Sequence, residues 1–218
     1  MAEPFVFFEC TSVERMTGRH ARDVVDFLEI LKQISPASIF HHMHQYFLKP
    51  HVAPPEYPND FICWIADALE EKVLAERLAN LNPFEFSDIE EIRVELIRII
   101  TNYLKENRPP RAVRGGKEFF FNEGITIVIP TGHKASNLRE FKAVLDEVDP
   151  SCIYYHFYEA RLRLGRKDDD FSCFFSDCFG GDCTGLAERI RRLDPYMFTA
   201  ETLKNKLVAL VAKAMEDN

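Results

Sequence analysis

No apolar run in the 218 residues approaches the ~20 needed to cross a bilayer, so no membrane-spanning helix is expected. A basic excess is missing too. The formal net charge is −8, which argues against general nucleic-acid binding, because that needs a cationic footprint. Met1-Ala2-Glu3-Pro4 has neither the basic nor the apolar stretch of a secretion signal. Six cysteines form no dense framework for this length, so a reducing cytoplasm is the expected setting. No P-loop, G-x-G-x-x-G turn, G-x-S-x-G elbow or H-E-x-x-H helix occurs, which points away from the common enzyme classes. What is plentiful is phenylalanine, at 19 residues, within a chain that is 46% apolar and has ample material for a core.

The chain also says part of itself twice. Residues 5–48 align without a gap on 119–162, and 12 of the 44 positions are identical. Chance would give roughly three. Among the identities are Phe5/Phe119, Phe7/Phe121, Glu9/Glu123, Gly18/Gly132 and His42/His156. The match resumes between 74–86 and 186–198, with seven identities in 13 positions. A repeat of this kind decides architecture before any single motif does. The expected division is copy one at 1–107, a linker at 108–118 and copy two at 119–218. Residues 1–107 carry 18 acidic and 10 basic side chains, whereas 108–218 carry 17 of each. The two surfaces are therefore expected to face different partners or different parts of one partner, or the contrast is neutral drift of solvated faces. The basic linker, with Pro109-Pro110 and Gly115-Gly116, reads as a solvated connection or an anion-binding strap.

Each copy opens with an aromatic, β-favouring stretch, 5–13 and 119–129, that needs cover at the centre of the molecule. Thr-Gly closes each stretch, and the glycine predicts a turn with positive φ. Helices follow. Residues 23–34 put Val24, Phe27, Leu28 and Leu31 on one face. Ser35-Pro36 and Asp149-Pro150 both place a capping oxygen before a first-turn proline. Asn59 or Asp60, and Asp169 or Asp170, start the next helix of each copy. Ser87 with Glu90 predicts a capping box for the long helix to about Lys105, and Thr199 starts its equivalent. The fold class is thus α+β, mainly helical, in two similar halves of one strand and about five helices. A pseudo-twofold packing of the halves is expected.

Several side chains are candidates for chemistry. His42 and His156 sit at the edge of an apolar helix stripe, which suits a packed ring with a partner on one nitrogen or a ligand-binding group. Asp60 and Asp67 share a helix face about 10 Å apart, which reads as an N-cap plus a solvated carboxylate or as an acidic face that reaches toward His42. Asp170 and Asp177 repeat the pattern. His41 and His44 are close enough around the helix to share a metal, but read better as a partly exposed flanking pair. Cys178 and Cys183 border a loop and are weak candidates for a metal or a disulfide, since C-x4-C-x4-C, counted with Cys173, is not a standard zinc pattern, which favours C-x2–4-C pairs with a fourth ligand. Cys173 aligns with Cys63 and reads as small core filler. Arg161, Arg163, Arg166 and Lys167 form a basic run found only in copy two. It suits an anionic ligand or a salt-bridged surface.

The string Ile153-Tyr154-Tyr155-His156-Phe157-Tyr158-Glu159-Ala160-Arg161, with Asn59-Asp60-Phe61 and Leu193-Asp194-Pro195-Tyr196, resembles a prokaryotic family of unknown function, domain of unknown function 5752. Copy one departs from the string at His41, Met43 and His44. The resemblance spans nearly the whole chain. It implies a bacterial or archaeal cytoplasmic protein and transfers no mechanism. The first functional expectation is a non-catalytic interaction or regulatory protein whose partner is another protein, with no cofactor. The second is a ligand-binding protein or enzyme, its site formed by His42 or His156 with Asp60 or Asp170 and Arg161, taking a small anionic ligand. Metal binding by His41 and His44, or by Cys178 and Cys183, is the third.

Overall fold

The computed structural model describes residues 3–44, 57, 59–107, 111–160, 163, 168–178, 183–194 and 198–217. It is mainly helical, with one two-stranded sheet formed by β1 (Phe5–Ala21) and β2 (Phe119–Ala135). Between the strands lie α1 (Val24–Leu31), α2 (Pro36–His44), α3 (Asp60–Asp67), α4 (Lys72–Ala79) and α5 (Ile89–Glu106). After β2 come α6 (Leu138–Glu147), α7 (Pro150–Ile153), α8 (Asp170–Cys178), α9 (Thr184–Arg191) and α10 (Ala200–Glu216). A π-helical segment, Tyr154–Glu159, continues α7. No described helix is long and apolar enough to cross a membrane.

Both strands run further than the aromatic stretches predict. Gly18 and Gly132 do have positive φ, 75° and 79°, but neither ends its strand. The preceding threonine holds the kink in register. Thr17 Oγ1 accepts from the Arg19 N–H (3.1 Å) and donates to the Phe121 carbonyl. Thr131 Oγ1 accepts from the His133 N–H (3.1 Å) and donates to the Phe7 carbonyl (2.7 Å). A glycine inside a strand commonly marks such a kink. Arg15 pairs with Glu123 and Thr17 with Phe121, so the partner numbers fall as the first rise and the strands are antiparallel. Cover is confined to the strand ends. Phe5, Phe7, Phe119 and Phe121 are buried, whereas the middle of each strand is exposed, a mix of apolar and charged residues over Val13–Met16 in β1 and the apolar run Ile127–Ile129 in β2.

Two compact units share the chain, and they are not the two sequence copies. A continuous unit comprises Val13–Ile125, and a split unit comprises Met1–Ser12 with Thr126–Asn218. The division falls inside the strands because of their aromatic ends. In the continuous unit Phe119 and Phe121 pack against Phe27 (5.7 and 5.3 Å between centroids), and Phe119 also meets Trp64 (5.5 Å). In the split unit Phe5 packs against Phe141 (5.3 Å), Phe171 (5.4 Å) and Phe174 (5.1 Å). Each buried phenylalanine contributes roughly 1.5–3 kcal/mol, so these rings fix the strand ends to their helices.

Local signals explain the helix starts. Asp23 caps α1 by accepting from the N–H groups of Val25 and Asp26, and the face expected to be buried is buried. Ser35 Oγ accepts from Ser38 N (3.2 Å) at the start of α2, and Asp149 caps α7 ahead of Pro150. Asn59 caps α3, and Asp169 serves α8 by accepting from Ser172 N (2.8 Å). The box expected at Ser87 and Glu90 lies one residue on. Asp88 accepts from Glu91 N (2.9 Å), and Glu91 accepts from Ser87 N (2.7 Å). A carboxylate facing the positive end of the helix dipole is favoured there. Thr199 and Thr202 form a capping box for α10.

Candidate functional site

His42 and His156 hold strand backbone. In the continuous unit the Asn122 N–H donates to His42 Nε2 (2.9 Å), and His42 Nδ1 faces Asp60 Oδ2 at 3.3 Å. In the split unit the Phe8 N–H donates to His156 Nε2 (2.9 Å), and Nδ1 faces Asp170 Oδ2 at 2.7 Å. An Nε2 that accepts a backbone proton carries none itself. Each ring is therefore the Nδ1–H tautomer, donating to its aspartate. Phe119 and Phe61 flank His42, and Phe5 and Phe171 flank His156. With both nitrogens engaged, neither ring has a lone pair for general base chemistry while the strand stays in place.

Glu9 and Glu123 serve the same helix starts from the strand side. Glu123 is buried and accepts from Ser35 Oγ and from Arg15, and these bonds hold its pKa below the usual carboxylate value. Glu9 accepts from Asp149 N (3.2 Å). Their identity across the repeat was the available signal for this role.

The aspartates differ in their second partner. Arg163 Nη2 donates to Asp170 Oδ2 (2.7 Å), and its guanidinium lies 4.6 Å from the Tyr155 ring centroid. Burial alone would raise Asp170, but the hydrogen bonds from His156 and Arg163 outweigh it and its pKa is lowered. Burial pushes His156 below its ordinary value, against the opposing pull of Asp170. Asp60 lies beside an open depression of about 420 Å³, lined also by Glu14, His41, Trp64, Asp67 and Asn122. A larger depression, about 530 Å³, lies along α4 and α5. Four of its charges pair with one another, Arg77 with Glu106 (2.7 Å) and Arg98 with Glu95 (2.5 Å).

The other candidates disperse. His41 and His44 are buried rather than partly exposed, because α2 packs against both α3 and α5. His44 stacks on Phe40 (4.4 Å) with Nδ1 3.1 Å from the Phe40 carbonyl, and His41 Nε2 lies 3.8 Å from Glu14. No group of three or more His, Cys, Asp or Glu among the described residues could hold a metal. Cys183 is buried, and Cys63 and Cys173 are half-buried. The Cys178 and Asp177 side chains, and Arg161, Arg166 and Lys167, lie outside the described residues. Arg163 is the member of the basic run beside Asp170. Sequence shows the run but not which arginine turns inward.

A third group was not legible in sequence. Burial pushes the Cys10 and Cys152 thiols up to about 12 and raises Glu159 above the usual carboxylate value. Glu159 Oε2 is buried without a hydrogen-bond partner among the described residues. Burial disfavours the charged form of each of the three.

This constellation sits on the aromatic string whose family the whole chain matches. The chain belongs to the family of unknown function DUF5752. The family model covers residues 2–212. Among solved structures, OrfY from Thermoproteus tenax is similar at 31% identity with a TM-score of 0.85, over 97% of this chain and 95% of that one. No curated protein matches.

Proposed function

We propose that this DUF5752 member is a non-catalytic interaction protein whose partner is another protein. The observation that carries the reading is the state of β2. Ile127, Val128 and Ile129 are 50%, 42% and 44% exposed in the split unit, on a strand of a two-stranded sheet. Unpaired strand edges with consecutive β-branched side chains invite an added strand, and an extended segment of a partner is the occupant that matches this chemistry. The engaged histidines support the same reading, because they serve the fold. The repeated grammar supports an internal duplication whose halves have diverged in charge and so in what they face.

The test is purification from the native host, with light scattering to count chains. A second protein at fixed stoichiometry is expected. The Ile127→Lys/Ile129→Glu double variant, shown folded by circular dichroism, should lose it. A lone monomer from the host, or a complex indifferent to the double variant, overturns the reading.

A further inference from the structure

The geometry points to a binding site for a guanidinium or alkylammonium cation in the depression beside His42, independent of the strand interaction proposed above. The molecule itself shows what the matching acid takes. Asp170 opens α8, accepts from His156 and holds the Arg163 guanidinium at 2.7 Å, with Tyr155 beneath the cation. Asp60 opens α3 and serves His42 in the same way, but its other side faces the depression. There the lining offers acceptors and π faces. Glu14, Asp60 and Asp67 bring three carboxylates, and Trp64, Phe119 and Phe120 bring aromatic surface. No lysine or arginine among the described residues lines it.

Asn122 adds an independent sign. Its N–H is used on His42, and its side-chain Oδ1 is buried with no hydrogen-bond donor among the described residues. It lines the same depression. A guanidinium, planar with five N–H donors and suited to aromatic faces, answers all of these features at once. Asp60 and Asp67 stand about 10 Å apart along one face of α3, so a ligand with a second amine can meet both. Asp67 also borders a neighbouring depression that carries Arg111, Arg114 and Lys117, but it forms no ion pair with them.

Calorimetric titration of the intact chain separates the possibilities. The probes are butylguanidine, its neutral isostere butylurea, agmatine, and a blocked Gly-Arg-Gly peptide. Butylguanidine should bind and butylurea should not. Asp67→Asn, an exposed change away from the histidine, should weaken binding by about tenfold, as loss of one charge-assisted contact implies. Asp60→Asn should weaken it further, with folding checked by circular dichroism. A peptide that binds better than agmatine identifies the source as a partner's arginine, and the reverse identifies a free diamine-like cation. Equal binding of butylurea, no effect of Asp67→Asn, or no heat with any probe overturns the proposal. Lys49 aligns with Arg163 and lies outside the described residues. Binding that emerges only in Lys49→Ala also overturns it, because the chain's own lysine is then the occupant.

Discussion

His156 and His42 occupy matched places in the chain and do the same work on a strand N–H. The aspartates behind them live in different surroundings. The Asp170 side chain is 18% exposed and shared between His156 and Arg163, whereas that of Asp60 is 43% exposed and serves His42 at a longer distance. One corner is closed by a cation from its own chain, and the other opens on a depression lined with acids. The shared parts, histidine and strand N–H, are those the fold requires. The part that differs among the described residues is the cation, present as Arg163 beside Asp170. A buried carboxylate needs its partners, while a half-exposed one is served by water.

The largest expected effect comes from removing each ring. His156→Ala leaves the Phe8 N–H without its acceptor and Asp170 without its main donor in a buried place. A loss of about 3–5 kcal/mol follows from the cavity, the orphaned N–H and a buried carboxylate left with Arg163 alone. His42→Ala leaves Asp60 to solvent, and screening discounts its share, so about 2–3 kcal/mol is expected. Urea denaturation gives both numbers, and amide exchange at Phe8 and Asn122 shows where the strand lets go. Equal losses would mean that the closed corner contributes nothing beyond the shared hydrogen bond.

Acid should separate the corners next. The folded pKa of His156 lies below the ordinary 6.5, so the unfolded chain binds the extra proton first. Stability from this group is present above about pH 6.5 and is lost as pH falls from there through the lower folded value. Asp170, also lowered, keeps its contribution until pH falls below about 3.8. Protonating His156 also removes the acceptor for Phe8. The Phe8 amide should therefore lose protection, relative to its intrinsic exchange rate, as His156 takes up its proton. A protection factor that stays flat while the ring is seen to protonate by NMR would show that Nε2 is not the acceptor in solution.

Helix starts were readable because capping is local: Asp23, Ser35, Asn59 and Thr199 act within four residues of themselves. The buried face of α1 was readable for the same reason. The pairing of His42 with Asp60 was one of two readings of the retained acidic face, the other being a helix cap with a solvated carboxylate. Three things were beyond reach. The strand ends that carry Phe5 and Phe119 pack on helices far along the chain, and periodicity is silent about which helices those are. Arg163 stands in a run of basic residues, and the run's spacing does not say that this one reaches Asp170. Thr-Gly reads as a terminator, yet the threonine hydroxyl carries the strand across it.

That kink supplies the smallest expected effect and the sharpest control. Gly18 and Gly132 have φ of 75° and 79°, and a Cβ built on either meets nothing within 4 Å. Gly→Ala at either position therefore costs only backbone strain, about 1 kcal/mol, with no clash to add. The two losses should match, because Thr17 and Thr131 bridge the kinks with the same pair of hydrogen bonds. Paired denaturation curves read the difference directly. Matching glycine losses beside unequal histidine losses would locate the divergence of the copies in the acid corners. A glycine pair that also differs would place it in the strands instead, since the strain at both kinks starts from nearly the same φ.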